Sequence, residues 1–176
     1  MTDALPDGHA PDGHAEQLRS EQDRVWIEAA IRLARENIPA GGGPFGALIV
    51  KDGEIVARGA NRVTRDNDPT AHAEVQAIRQ AGRALNDFNL SGAVLYSSCE
   101  PCPMCLAAAL WSRLDRVVYA ADRHDAAAAG FDDSEFYELL DTDRDTWTLP
   151  RVQVLRPSDA ADPFELWNHT ADRVEY

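Results

Sequence analysis

All three cysteines of this 176-residue chain lie in one short stretch, SSCEPCPMC at residues 97–105. Clustered cysteines do not make a disulfide framework, and they indicate either metal binding or a reactive thiol. The residues AVLYSS (93–98) are typical of a β-strand, and PCPMCLAAALWSR (101–113) is typical of a helix. Because Cys102 and Cys105 are three residues apart in that helix, we expect both thiols on one face, with Cβ atoms about 5–6 Å apart. The stretch therefore requires a strand that leads directly into a helix carrying two thiols near its N-terminus.

The rest of the chain alternates between helical and extended patterns. Apolar spacing and turn residues predict helices at 20–38, 71–85, within 124–140 and at 163–174. Alternating apolar runs predict strands at 45–50, 54–61, 93–98, 116–122 and 151–156, the first two joined as a hairpin by Asp52-Gly53. This order predicts an α/β fold, a mixed sheet of about five strands with helices on its faces.

The N-terminal residues differ in composition from the rest of the chain. Residues 1–19 contain the direct repeat PDGHA at 6–10 and 11–15, which offers almost nothing to bury. We therefore predict a disordered extension at 1–19 and a folded domain at 20–176. The extension has no basic n-region and no apolar core, so it does not resemble a secretory signal, and a cytoplasmic location is expected. No apolar run approaches the ~20 residues that a membrane span needs.

The charge balance argues against a polynucleotide partner. The net charge is −13, with 30 acidic residues against 17 basic ones, and Lys51 is the only lysine. Such a surface repels phosphate backbones unless a basic stripe is present. A small neutral or cationic substrate suits this chain better than a nucleic acid or a membrane.

A second segment, TAHAEV at 70–75, carries the residues that complement the cysteines. Together with EPCPMC it matches H-x-E followed by P-C-x-x-C, the signature of zinc-dependent nucleobase deaminases. His72, Cys102 and Cys105 are the predicted ligands of Zn²⁺, which leaves one position for water. Zinc lowers the pKa of that water to about 7, and the resulting hydroxide attacks the amine-bearing carbon. Glu74 is the predicted catalytic residue, which carries protons without ligating the metal.

Cys99 lies outside the helical register that brings Cys102 and Cys105 together. It precedes Pro101, in the extended link after the strand, and we expect it to be a small buried residue at a strand end. If it were a fourth ligand, the site would be closed and structural rather than catalytic.

Longer stretches of the chain resemble the cytidine-deaminase-like superfamily of zinc hydrolases, and within it the guanine deaminases. The matching stretches are GGPFGALIVKDG, NDPTAHAEV, SCEPCPMCL, AGFDDS and the final Glu-Tyr. The resemblance implies a three-layer α-β-α sandwich with one Zn²⁺ per subunit. It also implies hydrolysis of guanine to xanthine and ammonia in purine catabolism or salvage. In similar enzymes the C-terminal segment, which corresponds to 157–176 here, is exchanged between two subunits, and this implies a homodimer.

The same resemblance implies a set of substrate-binding residues. Asn61 and Asp133 correspond to polar residues that recognise the base, Phe45 and Trp111 to pocket walls, and Tyr176 to a residue that closes the partner's site. The chemistry is consistent, because a carboxylate accepts from the N1 and 2-amino donors of guanine and an amide both donates and accepts. Each residue also has an ordinary structural role available, such as capping a strand end or packing in the core.

Three alternatives remain open at the level of sequence. A tRNA adenosine deaminase shares H-A-E and P-C-x-M-C but needs a basic surface. A deaminase of guanosine, cytosine or an aminotriazine would have the same catalytic half and differ in a few pocket contacts. A zinc module without enzymatic activity would need Cys99 as the fourth ligand.

Overall fold

The structure is a computed structural model that describes residues 13–175. The helices are α1 (Gly13–Asn37), α2 (Val63–Asp66), α3 (Ala73–Leu85), α4 (Pro103–Trp111), α5 (Arg123–Ala128), α6 (Ser134–Leu140) and α7 (Asp162–His169), with a 3₁₀ turn at Arg144–Thr146. The strands are β1 (Gly46–Lys51), β2 (Glu54–Ala60), β3 (Ala93–Cys99) and β4 (Arg116–Ala121). The chain divides into two compact units, Met1–Asp122 and Arg123–Tyr176.

The first unit contains a mixed sheet with the strand order β2-β1-β3-β4. Strand β1 runs antiparallel to both neighbours, whereas β3 and β4 are parallel and are connected through α4. The predicted hairpin turn is confirmed, because Asp52 and Gly53 both adopt positive φ angles, 53° and 77°. Two such residues give a turn whose twist matches that of the paired strands.

Helices cover both faces of this sheet. On one face α1 contributes Ala30 to a buried cluster with Leu48 and Tyr96. On the other face Ala77 of α3 packs with Ile49 of β1 and Leu95 of β3. Alternate residues of each strand therefore point to opposite helical layers, as the pleat requires. The predicted three-layer α-β-α arrangement is confirmed.

Close backbone packing sets the position of α3. A Cβ atom added at Gly59 of β2 would lie 2.0 Å from the Ala73 carbonyl oxygen and 2.5 Å from the Ala77 nitrogen. Only glycine permits this approach, because real Cβ contacts are essentially never shorter than about 3 Å. The first turn of α3 is thereby pressed against the sheet.

The predicted fifth strand at 151–156 is wrong. These residues form no regular element, and Val154 and Leu155 are 89% and 93% exposed. An alternating apolar pattern forms a strand only where a neighbouring strand offers a ladder and a face to pack on. Within residues 123–175 of the second unit, the described elements are helices and a 3₁₀ turn.

Several predicted helix boundaries also need correction. Helix α1 begins at Gly13 rather than Ser20, because the intervening residues HAEQLR are mostly good helix formers. The rest of the predicted extension, residues 1–12, lies outside the described residues. Helix α7 ends at His169 rather than near residue 174, and the short α2 lies where a loop was predicted.

None of the helices in the described part of the chain is long and apolar enough to cross a bilayer.

Candidate active site

Three potential metal-ligating atoms converge at the N-terminal ends of α3 and α4. His72 Nδ1 lies 3.6 Å from Cys102 Sγ and 3.5 Å from Cys105 Sγ, and the two sulfur atoms are 3.6 Å apart. Among the described residues, these three form the group of His, Cys, Asp or Glu side chains suited to hold a metal ion. The structure brings the three predicted zinc ligands together.

Helix starts position all three side chains. His72 is the N-cap of α3 and has an extended backbone. Cys102 is the N-cap of α4, and Cys105 lies in the first turn of the same helix. Helix α4 begins at Pro103, so Pro103 and not Pro101 occupies the first turn, where a missing N–H group costs nothing.

The distances between the three potential ligand atoms fit the coordination of a zinc ion. Tetrahedral coordination with Zn–S distances of about 2.3 Å and Zn–N distances of about 2.1 Å places ligand atoms about 3.6–3.8 Å apart. The three observed separations of 3.5–3.6 Å lie at or just below the lower end of this range. Two thiolates and one imidazole are also a donor set that zinc prefers. These residues would hold Zn²⁺ with three protein ligands, as a catalytic site requires.

The two cysteines differ electrostatically. Hydrogen bonding by the Cys105 thiol, together with His72, lowers the pKa of Cys102 to about 4. The interaction with Cys102, burial and the neighbouring Glu74 carboxylate all raise the pKa of Cys105. Because zinc binds cysteine as the thiolate, both thiols must lose their protons when the metal binds.

Cys99 does not take part in this cluster. It is buried at the end of β3, and its Sγ lies 3.7 Å from the carbonyl oxygen of Asp122, to which the thiol donates. This is the expected small buried residue at a strand end.

Glu74 lies beside the ligands with its carboxylate almost completely buried. Its Oε1 accepts a 2.8 Å hydrogen bond from Ser97 Oγ, and its Oε2 is 3.5 Å from Cys105 Sγ. Burial raises the pKa of this carboxyl group above its usual range, opposed by its own backbone N–H and by Ser97. The site therefore contains a carboxyl group that lies next to the three potential metal ligands without being one of them.

Ser97 is the functional neighbour that sequence reasoning missed. Its side chain follows Ala93 and Leu95 on the α3 face of β3, where the other residues are apolar. The one signal for Ser97 is that it is a polar residue among the otherwise apolar side chains of β3 that face α3. A buried hydroxyl requires a hydrogen-bond partner.

Asn61 and Phe45 lie at the corner where β2 and β1 approach the start of α3. The Asn61 backbone N–H donates to the Phe45 carbonyl, and the next N–H, of Arg62, donates to Ala71, the residue before His72. Asn61 is buried, and its Oδ1 accepts from the Val63 N–H at 3.3 Å. Phe45 is half-buried and packs against the core cluster that α3 covers.

Two of the other three predicted substrate residues are described, Trp111 in the first unit and Asp133 in the second. Trp111 is the last residue of α4, about 9 Å along the helix axis from Cys105. It is 68% exposed, so a role as a core residue is ruled out. Asp133 is half-buried and precedes α6 in the second unit. Tyr176 lies outside the described residues.

Comparison with known proteins identifies relatives of this site. Residues 20–121 match the family model of the cytidine and deoxycytidylate deaminase zinc-binding region. The chain is 51% identical over 153 residues to guanine deaminase of Bacillus subtilis, covering 86% of this chain and 97% of that protein. A crystal structure of guanine deaminase from Bacillus subtilis superposes with a TM-score of 0.83 at 50% identity, covering 87% of this chain and 98% of the other.

A tRNA-specific adenosine deaminase of Aquifex aeolicus is 44% identical over 96 residues, which cover 54% of this chain and 64% of that protein. The match to guanine deaminase thus extends over nearly the whole length of that protein. The match to the tRNA-specific adenosine deaminase covers only part of that protein and about half of this chain. The chain belongs to the zinc-binding cytidine and deoxycytidylate deaminase family, and within it to the guanine deaminases.

Proposed function

We propose that this protein hydrolyses guanine to xanthine and ammonia. The observation that carries the chemistry is the buried Glu74 carboxyl group, which lies 3.5 Å from a ligand sulfur and stands apart from the three-ligand set. A purely structural zinc site has four protein ligands and no use for such a group. The choice of guanine is supported by the near full-length similarity to guanine deaminase of Bacillus subtilis.

The proposed reaction replaces the exocyclic amine of guanine by oxygen from water. Zn²⁺, held by His72, Cys102 and Cys105, supplies Lewis-acid activation when bound. Glu74 takes a proton from the attacking water at Oε2 and delivers it to the ring nitrogen. It then takes the remaining proton from the hydroxyl group now bonded to the carbon and transfers it to the departing amine. A C–O bond thus forms, a C–N bond breaks and ammonia leaves. A carboxyl group whose pKa is raised by burial is suited to both transfers.

Substrate recognition is proposed for five residues. Asn61 supports this role best, because it lies beside the start of α3 and its Oδ1 already accepts from the Val63 N–H, so that its amide group is oriented and can donate to a base edge. We assign Asp133 to the N1 and 2-amino donors of guanine, and Phe45 and Trp111 to stacking on the base. Tyr176 closes the site of the partner subunit in this proposal.

The experiment that tests the function is ammonia release from a panel of guanine, guanosine, adenine, cytosine, cytidine and ammeline. We expect guanine to give the highest kcat/KM. In the Asn61→Ala variant we expect kcat/KM for guanine to fall by about 10-fold or more, since a hydrogen bond to the base is lost. Zinc content should be unchanged in this variant. An enzyme that leaves guanine intact but deaminates another compound of the panel would disprove the assignment of substrate.

A polynucleotide substrate is the second candidate, because the chain is also similar to tRNA-specific adenosine deaminases. The net charge of −13 opposes it. Salt-sensitive binding of tRNA, with inosine formed at an adenosine, would favour this candidate over guanine.

We further propose a homodimer in which residues 157–176 contact the second subunit. Large apolar side chains of the C-terminal unit are exposed along the chain, namely Leu149, Val154, Leu155, Phe164, Leu166 and Val174. Exposed apolar side chains at this density are typical of an interface between subunits. We also assign the protein to the cytoplasm, where reducing conditions keep metal-binding thiols available.

Light scattering tests the homodimer. We expect the full chain to have twice the monomer mass at micromolar concentration, and Phe164→Asp to raise the dissociation constant by about 10-fold or more, since a buried charge opposes association. Glu165→Ala, the neighbouring polar position on α7, is the matched control and should leave the mass unchanged. A wild-type chain that is monomeric at every concentration would disprove the proposal.

A further inference from the structure

Ser97 and Glu74 form a buried polar pair inside an apolar layer. Ser97 is completely buried on the central strand β3, where it pairs with Ala47 of β1 and Tyr119 of β4. The neighbouring side chain on the same face, Leu95, belongs to the apolar cluster that α3 covers. A hydroxyl in such surroundings is costly unless it has a partner. The partner is Glu74, 2.8 Å away.

The hydrogen bond from Ser97 gives the two carboxylate oxygens of Glu74 different environments. Oε1 is engaged by the Ser97 hydroxyl, whereas Oε2 is directed to the ligand cluster, 3.5 Å from Cys105 Sγ. Ser97 belongs to a strand whose neighbours are fixed on both sides, so the donor itself has little freedom to move. One oxygen is therefore anchored to the sheet, and the other faces the place where the reaction occurs.

We infer that Ser97 is a positioning residue, which holds Glu74 by Oε1 so that Oε2 alone exchanges protons with the reactants. This inference rests on the proposed function, in which Glu74 carries the protons. Proton transfer requires the donor and acceptor atoms to be within hydrogen-bond reach at the right angle. A carboxyl group that rotates freely about its last bond satisfies that requirement only part of the time.

The neighbouring residue provides a matched control. Ser98 is also a buried serine on β3, but it lies on the opposite face, where its Oγ accepts a 3.0 Å hydrogen bond from the Gly46 N–H. Replacing Ser98 by alanine removes a hydroxyl and a buried hydrogen bond from the same strand without touching Glu74. Any general loss of strand stability should be similar in the two serine variants.

The test compares steady-state kinetics of the zinc-loaded variants with guanine as substrate. We expect Ser97→Ala to lower kcat by about 10- to 100-fold, the range seen when a supporting hydrogen bond to a functional group is lost. KM should change by less than about twofold, because Ser97 does not contact substrate in this proposal, and zinc content should be unchanged. Ser98→Ala should keep kcat within about threefold of the wild type.

A second pair of variants separates the hydroxyl from the size of the side chain. Ser97→Thr and Ser97→Val add nearly the same volume to a buried position, so any strain from the extra atoms is shared. Only Ser97→Thr keeps a hydroxyl group that can donate to Glu74. We expect this variant to retain at least about 10-fold more activity than Ser97→Val. A crystal structure of Ser97→Ala provides a readout independent of activity, in which Glu74 should be rotated or should occupy two conformations.

The outcomes distinguish this inference from the proposed function. If Ser97→Ala keeps full kcat, or if threonine and valine are equally impaired, Ser97 is not a positioning residue. If Glu74→Gln itself keeps full activity, the proposed proton carrier is wrong, and the inference fails with it. If Glu74→Gln is inactive while Ser97→Ala and Ser98→Ala have equal activity, the proposed function stands and the inference about Ser97 alone fails.

Discussion

Replacing Glu74 by glutamine should abolish turnover while leaving the metal in place. The substitution keeps the size of the side chain and an acceptor for the Ser97 hydroxyl, but it removes the group that exchanges protons. General acid–base catalysis typically contributes about 10²–10⁴-fold. Because one residue serves both transfers here, we expect kcat to fall toward the upper end of this range. The measurement is xanthine formation from guanine at saturating substrate.

Zinc analysis on the same sample makes this result interpretable. The metal-to-protein ratio of Glu74→Gln should equal that of the wild type, because Glu74 lies outside the three-ligand group. Glu54→Gln, at an exposed position on β2, is the matched control and should keep full activity. Full turnover by Glu74→Gln would refute the mechanism, and loss of zinc would show that Glu74 is a ligand.

Replacing Cys105 by serine should remove both the metal and the activity. A serine hydroxyl remains protonated at neutral pH and is a poor ligand, whereas a cysteine loses its proton when zinc binds. The two remaining ligands, His72 and Cys102, do not make a stable zinc site by themselves. After dialysis we expect the zinc content to fall from about one per chain to less than about a tenth, with turnover at background. Plasma mass spectrometry and the xanthine assay measure the two quantities.

Cys99→Ser is the matched control for this experiment, and it decides the kind of site. Cys99 Sγ contacts the Asp122 carbonyl oxygen instead of joining the ligand group. We therefore expect zinc content and turnover to match the wild type, with at most a modest loss of thermal stability. If Cys99→Ser loses zinc as completely as Cys105→Ser, the site has four protein ligands and the catalytic interpretation fails.

Local signals account for the parts of the fold that were predicted correctly. Asp52-Gly53 specifies its hairpin because both residues tolerate positive φ, whatever lies around them. The spacing of Cys102 and Cys105 places both thiols on one side of a helix start without reference to any other element. Strand β3 is similarly clear, since it begins with the consecutive apolar residues AVLY, a pattern typical of a strand that is buried on both faces.

Features that depend on a distant partner were predicted poorly. Residues 151–156 alternate as a strand would, yet residues 123–175, the described part of the second unit, contain no strand for them to pair with. The role of Trp111 as a pocket wall stays a prediction, since this side chain lies at the exposed end of α4. Its environment depends on what packs beside that helix, which spacing along the chain does not encode.

The sequence by itself was enough to predict the zinc ligands and the proton carrier. Their order, H-x-E and then P-C-x-x-C, depends on helix starts that short-range backbone preferences specify. Only the tertiary structure decided how the carboxyl group of Glu74 is held. The Ser97 hydroxyl that anchors it is 23 residues away along the chain. The two meet because Gly59 lets α3 pack closely on the sheet and because Ser97 points to that face of β3.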